Sequence, residues 1–246
     1  MIFDSITIKF EIEIISCVVK DLFGDIKVRI NEKMFIKDPE SSDLGKRIIE
    51  SSIILIQEIG FESFTFKKLG VRISSNESSI YRYFENKHKL LLYLTSWYWG
   101  WLEYKLVFAT NSISNPEEKL RTAIQIVTEP IEQDHSFAYI NEVLLSKIVI
   151  NEYSKSYLTK EVDNENKDGY FSKYKRLVNR IDNMIQEVDN AYNFSASLAS
   201  TIVEGALHQH FLVEHFPSLT DCNENTSPAD YFIDLTFKSL KSTSNG

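Results

Sequence analysis

Two periodicities divide this chain of 246 residues. From residue 5 to 15 apolar and polar positions alternate, with Ile6, Ile8, Phe10, Ile12 and Ile14 on one side and Thr7, Lys9, Glu11 and Glu13 on the other. A period of two predicts a strand. The runs Ile26–Ile30 and Lys33–Ile36 predict a hairpin turned at Asn31-Glu32, which needs support from a further strand or from the rest of the chain. A second reading of residues 1–23 is that they precede the true start of the protein.

After Asp38-Pro39 the spacing becomes helical. Ile48, Leu55, Ile56 and Ile59 predict a helix over 44–59, capped by Ser42 or Asp43 and closed by Gly60, with Phe61 following as its hydrophobic contact. Thr65 caps a short helix whose inner face is Leu69 and Ile73. Ser74-Ser75 makes a turn, and Asn76 or Ser75 caps a second short helix over 76–83 that turns Ile80 and Phe84 inward. Asn86 then caps a long helix over 87–109. Further helices are expected near 117–133, 137–150, 170–190, 195–216 and 229–242, with Pro116 at a helix start and Pro130 bending or ending one. The polar stretches 159–169 and 217–227 read as loops. The expected fold is all-α, with a short N-terminal β extension at 1–40, a three-helix unit at 41–90 and a helical body at 91–246.

The stretch 65–89 is a helix-turn-helix pattern. Its second short helix offers Ser78 and Ser79, small enough to approach base edges, beside Tyr81, Arg82 and Tyr83, which suit phosphates. Charge supports this placement. The chain carries a formal -8, yet residues 44–92 hold 8 Lys/Arg against 5 Asp/Glu, whereas 93–246 hold 13 against 21. A net-basic block on an acidic body is a local nucleic-acid footprint rather than a general affinity for polyanions. Cys17 and Cys222 form no framework or CxxC, which fits a reducing cytoplasm. No charge-free apolar run reaches the roughly 18 residues of a membrane helix.

Ile56 with Gly60-Phe61, Thr65, Leu69, the run Ile80-Tyr81-Arg82-Tyr83-Phe84, Asn86-Lys87 and Leu90-Leu91 together resemble the TetR (tetracycline-repressor) family of bacterial transcriptional regulators. The resemblance covers residues 44–95. It implies an all-α homodimer with an N-terminal DNA-binding head and a variable body that holds a small effector. The helices near 195–216 and 229–242 would pair with those of a second copy. It further implies that Thr65 and Lys87 meet phosphate, with Lys67 and Lys68 near the same strand. Ser78 and Ser79 would face bases and Tyr81 would stack along the backbone, with Asn76, Arg82 and Tyr83 also among the DNA-binding residues. Three departures stand out: Ser74 where the turn usually has Gly, Glu77 at the start of the recognition helix, and the extension over 1–37.

In the body, Trp97, Trp101 and Tyr104 crowd the long helix and, with His208, are the candidate effector pocket; packing is the competing reading of the same aromatics. Glu204, His208 and His215 can share a helix face, with His210 well round from it, and are read as polar interface or pocket-wall positions rather than a metal site. No Gly-x-Ser-x-Gly, P-loop or H-E-x-x-H is present, so neither an enzyme nor a cofactor is expected. The expected function is a cytoplasmic repressor that binds a double-stranded DNA operator. The alternative is a helical adaptor of the same fold that binds a protein instead.

Overall fold

The computed structural model describes residues 28–133 and 139–243. The predicted strand over 5–15 lies outside them. Among the described residues there is no β-strand, and the hairpin is not formed: residues 28–30 are irregular and Glu32–Met34 is a single 3₁₀ turn. The reason is local and tertiary at once. The Asn31 side chain accepts from the Lys33 amide at 3.0 Å and caps the turn, and Met34 is driven into a small apolar cluster with Leu92 and Tyr170.

Eleven α-helices follow among the described residues. They are α1 (Asp43–Ser63), α2 (Phe66–Arg72), α3 (Glu77–Tyr81), α4 (Lys87–Thr110), α5 (Pro116–Thr128) and α6 (Glu142–Glu152), then α7 (Ser154–Tyr157), α8 (Val162–Lys167), α9 (Ser172–Val188), α10 (Ser195–His215) and α11 (Pro228–Thr243). Side-chain caps set most of the early boundaries. Ser42, Thr65, Asn76, Asn86, Asn115 and Asn141 each accept from a backbone N–H of the first turn. Gly60 breaks α1 near its end with φ +74° and ψ 156°, a positive-φ extended backbone that essentially only glycine adopts.

The core is organised around α4. Its apolar residues run nearly all round, and it is buried on most faces, as a helix with no polar stripe must be. Helices α5, α6 and α9 pack on it, α10 packs on α5, α6 and α9, and α11 closes against α5 and α10. Amphipathic α9 shows the rule most plainly: Leu177, Ile181, Met184 and Ile185 are buried while the remaining faces are charged. The polar stretch 159–169 departs from its loop reading. It contains α8, whose Glu165 is buried because His88 Nε2 lies 2.9 Å from its carboxylate and Lys89 lies 3.9 Å away. No helix of the described residues is long and apolar enough to cross a membrane.

Candidate nucleic-acid interface

Helices α1, α2 and α3 form a small head around Ile48, Leu69, Ile80 and Phe84, each fully buried. Between α2 and α3 the chain turns through Ser74, at φ +51° the non-glycine residue with a left-handed backbone among the described residues. The Ser75 amide donates to the Gly70 carbonyl at 2.9 Å and tightens that turn. Asn76 then fixes the start of α3: its Oδ1 accepts from the Ser79 amide at 2.8 Å and from the Ser79 hydroxyl at 2.7 Å.

With Ile80, Tyr83 and Phe84 buried beneath it, α3 turns its other side outward. Ser78 and Arg82 are exposed, and Tyr81 is 46% exposed. Tyr81 is not loose: its ring packs edge-on against Phe66, with centroids 5.0 Å apart, which aims the phenol along the surface. Thr65, Lys67 and Lys68 are exposed on the adjoining start of α2, with the Lys68 ammonium donating to the Ser63 carbonyl at 2.7 Å. These side chains make one continuous convex face.

Two of the expected contact residues point elsewhere. Tyr83 is 3% exposed, and its hydroxyl lies 2.8 Å from the Ser42 hydroxyl and 3.4 Å from the Lys37 ammonium. It ties the segment before α1 to the end of α3 instead of facing outward. Lys87 donates its ammonium to the carbonyls of Phe61 at 3.0 Å, Glu62 at 3.1 Å and Phe64 at 3.4 Å, and it rests over the Phe61 ring. A cation in the first turn of α4 opposes that helix's dipole, and its position is explained by the carbonyl ends of α1 that it satisfies.

The head is fastened to the body at identifiable points. Glu152, at the end of α6, accepts from the Phe61 amide at 3.1 Å, and Lys155 bridges Glu152 and Glu62 at 2.6 and 3.1 Å. On the other side Lys33 pairs with Asp168 at 2.6 Å, and the Tyr170 hydroxyl donates to the Lys33 carbonyl at 3.0 Å.

The four residues expected to line an effector pocket are not brought together. Trp97 and Trp101 are buried in the core, their rings stacked at 6.3 Å. Tyr104 lies one turn further along α4, where it lines the groove beside α9, and His208 is exposed on α10. The cavity of the body is elsewhere. About 320 Å³ opens between α4, the end of α5, α6 and α10, lined by Tyr98, Val127, Ile131, Ile150 and His210 among others. Burial holds His210 below the usual imidazole pKa, while its Nε2–H donates to the Thr128 carbonyl at 2.9 Å and partly offsets that. The signal was in the sequence: the offset that separates His210 from His208 and His215 on the helix is what aims it inward. Among the described residues no group of acidic, histidine or cysteine side chains could hold a metal ion.

The arrangement defines a helix-turn-helix head on an all-helical body. Residues 48–94 match the family model for bacterial regulatory proteins, tetR family, so the head is a tetR-family unit. The whole fold is found in solved structures of low sequence identity. The superantigen PfiT is 16% identical with a TM-score of 0.55 over 84% of this chain and 100% of its own. A tetR-family bacterial regulatory protein from Rhodococcus RHA1 is 14% identical with a TM-score of 0.55, covering 81% and 97%. AibR in complex with isovaleryl coenzyme A and operator DNA is 17% identical with a TM-score of 0.52, covering 76% and 95%. No curated protein sequence matches the chain.

Proposed function

We propose that this chain is a homodimeric transcriptional repressor of the cytoplasm whose operator affinity falls when a small molecule occupies the helical body. The observation that carries the reading is the outward face of α3. Ser78, Tyr81 and Arg82 stand free on a helix anchored from below by Ile80 and Phe84 and from its start by Asn76. In this reading Ser78 approaches a base edge in the major groove, and Tyr81, Arg82, Thr65, Lys67 and Lys68 hold phosphates. Helices α10 and α11 pair across a two-fold axis, and partly exposed Val213 and Tyr231 would be covered there. Two heads then meet successive major-groove faces about 34–36 Å apart. An occupant of the 320 Å³ cavity favours another arrangement by its differential affinity for the two. The complex of AibR with an acyl-coenzyme A and operator DNA supports an effector-and-operator reading for this fold.

A mobility-shift assay on DNA flanking the gene, at stated salt, tests the proposal. Specific retention over random duplex is expected; equal binding to both at every salt concentration contradicts it. Arg82→Ala is expected to weaken all duplexes alike and to flatten the logarithmic salt slope by about one unit, with stability unchanged. Ser78→Ala is expected instead to change the ranking of operator variants by roughly 1–3 kcal/mol. Identical effects of the two substitutions would remove the assignment of base and phosphate roles.

A second reading is a protein-binding adaptor. Glu77 places a carboxylate at the start of α3, where it repels phosphate, and the fold also serves a protein described as a superantigen. A protein partner captured by the head, together with no duplex binding, would select it.

A further inference from the structure

The face that α9 turns toward α4 is unlike the rest of this acidic molecule. Lys173, Arg176 and Arg180 fall at i, i+3 and i+7, one stripe of the helix, beside the buried stripe of Leu177 and Ile181. They border a groove of about 340 Å³ whose other walls are Gly100, Glu103, Tyr104 and Val107 of α4, with Val28 and Arg29 at its rim. Four cations thus face one carboxylate, a surplus of three positive charges in a chain whose formal net charge is -8.

Glu103 organises the cations without neutralising them. Its carboxylate is 5% exposed and accepts from Arg176 Nε at 3.1 Å to each oxygen, from Arg176 Nη2 at 2.5 Å and from Arg180 Nε at 2.8 Å. That fixes both guanidinium planes, and the Arg180 Nη1 and Nη2 groups make no hydrogen bond to another described residue. Lys173 likewise forms no ion pair with a described residue. Its stem lies against Gly100, where a Cβ would stand 3.5 Å from Lys173 Cδ and 2.6 Å from Val28 Cγ1. Glycine at that position is what lets Val28 and the lysine close over α4. Burial holds the Lys173 ammonium below its usual pKa; Arg176 and Arg29 add to that and Glu103 opposes it. A cation so placed gains from any anion that joins it.

We propose that the α4–α9 groove is a binding site for a small organic anion, a phosphate or carboxylate head on a short apolar tail. The head sits among Lys173, Arg176 and Arg180, where preset guanidinium N–H groups give charge-assisted hydrogen bonds. The tail lies along Tyr104, Val107 and Val28. The site is separate from the cavity beneath α10 and does not depend on the DNA-binding reading.

Calorimetric titration of the full-length chain with hexyl phosphate, hexanoate and hexanol, at one stated low salt, tests it. Saturable one-site binding of both anions, and none of hexanol, is expected. Lys173→Met is expected to weaken both anions about tenfold or more, the loss of one charge-assisted contact. Arg180→Gln is expected to do the same, with Glu103 still paired to Arg176. Unchanged affinity in Lys173→Met overturns the proposal; that variant breaks no ion pair, and a circular-dichroism melt establishes that it is folded. Hexanol binding as tightly as hexyl phosphate, or inorganic phosphate binding as tightly as hexyl phosphate, also overturns it, as does retention only on phosphatidylglycerol vesicles with no binding of the soluble anions.

Discussion

Ser74 adopts a backbone that a β-carbon disfavours, in the turn that orients the recognition helix. Ser74→Gly is therefore expected to raise stability by up to about 1 kcal/mol, read as a higher urea midpoint with an unchanged slope. A lower midpoint would mean that the serine side chain contributes more than the strain costs. Lys87 makes the converse case. Lys87→Ala leaves three carbonyls at the end of α1 without their cationic donor, and a loss of about 1–3 kcal/mol is expected, with all duplexes bound more weakly as the head loosens. Duplex affinity that falls while the urea midpoint stays fixed would return Lys87 to a direct phosphate role. The capping residues were legible in the sequence because a cap acts within three residues. The inward turn of Tyr83 was not, because its hydroxyl is claimed by Ser42, 41 positions away, and by Lys37, 46 positions away.

The long helices were legible as elements, whether striped like α9 or apolar nearly all round like α4: α1, α4, α9, α10 and α11 all stand close to their expected bounds. What failed was short. Helix α8 carries one buried residue, a glutamate, whose burial depends on His88 some 77 positions earlier. The run Lys33–Ile36 was read as one arm of a hairpin, but a strand needs a neighbour, and the apolar cluster with Leu92 and Tyr170 captures Met34 instead. Helix α10 was placed correctly, yet the pocket histidine named was His208, and it is His210 that faces the cavity, which has a measurable consequence. The folded state holds His210 below the ordinary imidazole value of about 6.5, so the unfolded chain binds its proton first as pH falls. The contribution is present in full above about pH 6.5 and is lost as pH drops toward the folded pKa. His210→Gln, which keeps a donor for the Thr128 carbonyl, is expected to flatten the stability profile in that window. The Glu103 carboxylate cannot mimic the effect. Burial opposes its ionisation, but the Arg176 and Arg180 hydrogen bonds outweigh that and hold its pKa below the ordinary carboxylate range, so its contribution is lost only at lower pH. Identical profiles for wild type and variant between pH 5 and 6.5 would place His210 outside the linkage.

Across the whole molecule two helices reach from the body cavity to the head: α4, through Tyr98 and Lys87, and α6. Val143, Ser146, Lys147 and Ile150 line the cavity along one side of it. Its final residue, Glu152, accepts from the Phe61 amide directly beyond the Gly60 break in α1. A helix of eleven residues behaves as a short rod, which makes α6 a physical connection between the cavity wall and the head. Helices α1 and α6 pack on each other, and the polar part of the link is the Glu152 hydrogen bond steadied by Lys155, which also holds Glu62 on the head side. Helix order and an apolar body could suggest a cavity above a head, but they could not indicate that α6 also joins them, because the contact spans 91 positions. Glu152→Ala removes the acceptor and leaves Lys155 paired with Glu62 alone, with the cavity wall intact. Amide exchange at Phe61 is expected to accelerate in that variant by about tenfold or more, the equivalent of one charge-assisted hydrogen bond, while the α6 amides keep their protection. If Phe61 exchanged at its original rate, the head would be held by its apolar contacts alone and α6 would not be its tether. If α6 itself lost protection, the substitution would have unfolded the rod and not merely uncoupled it.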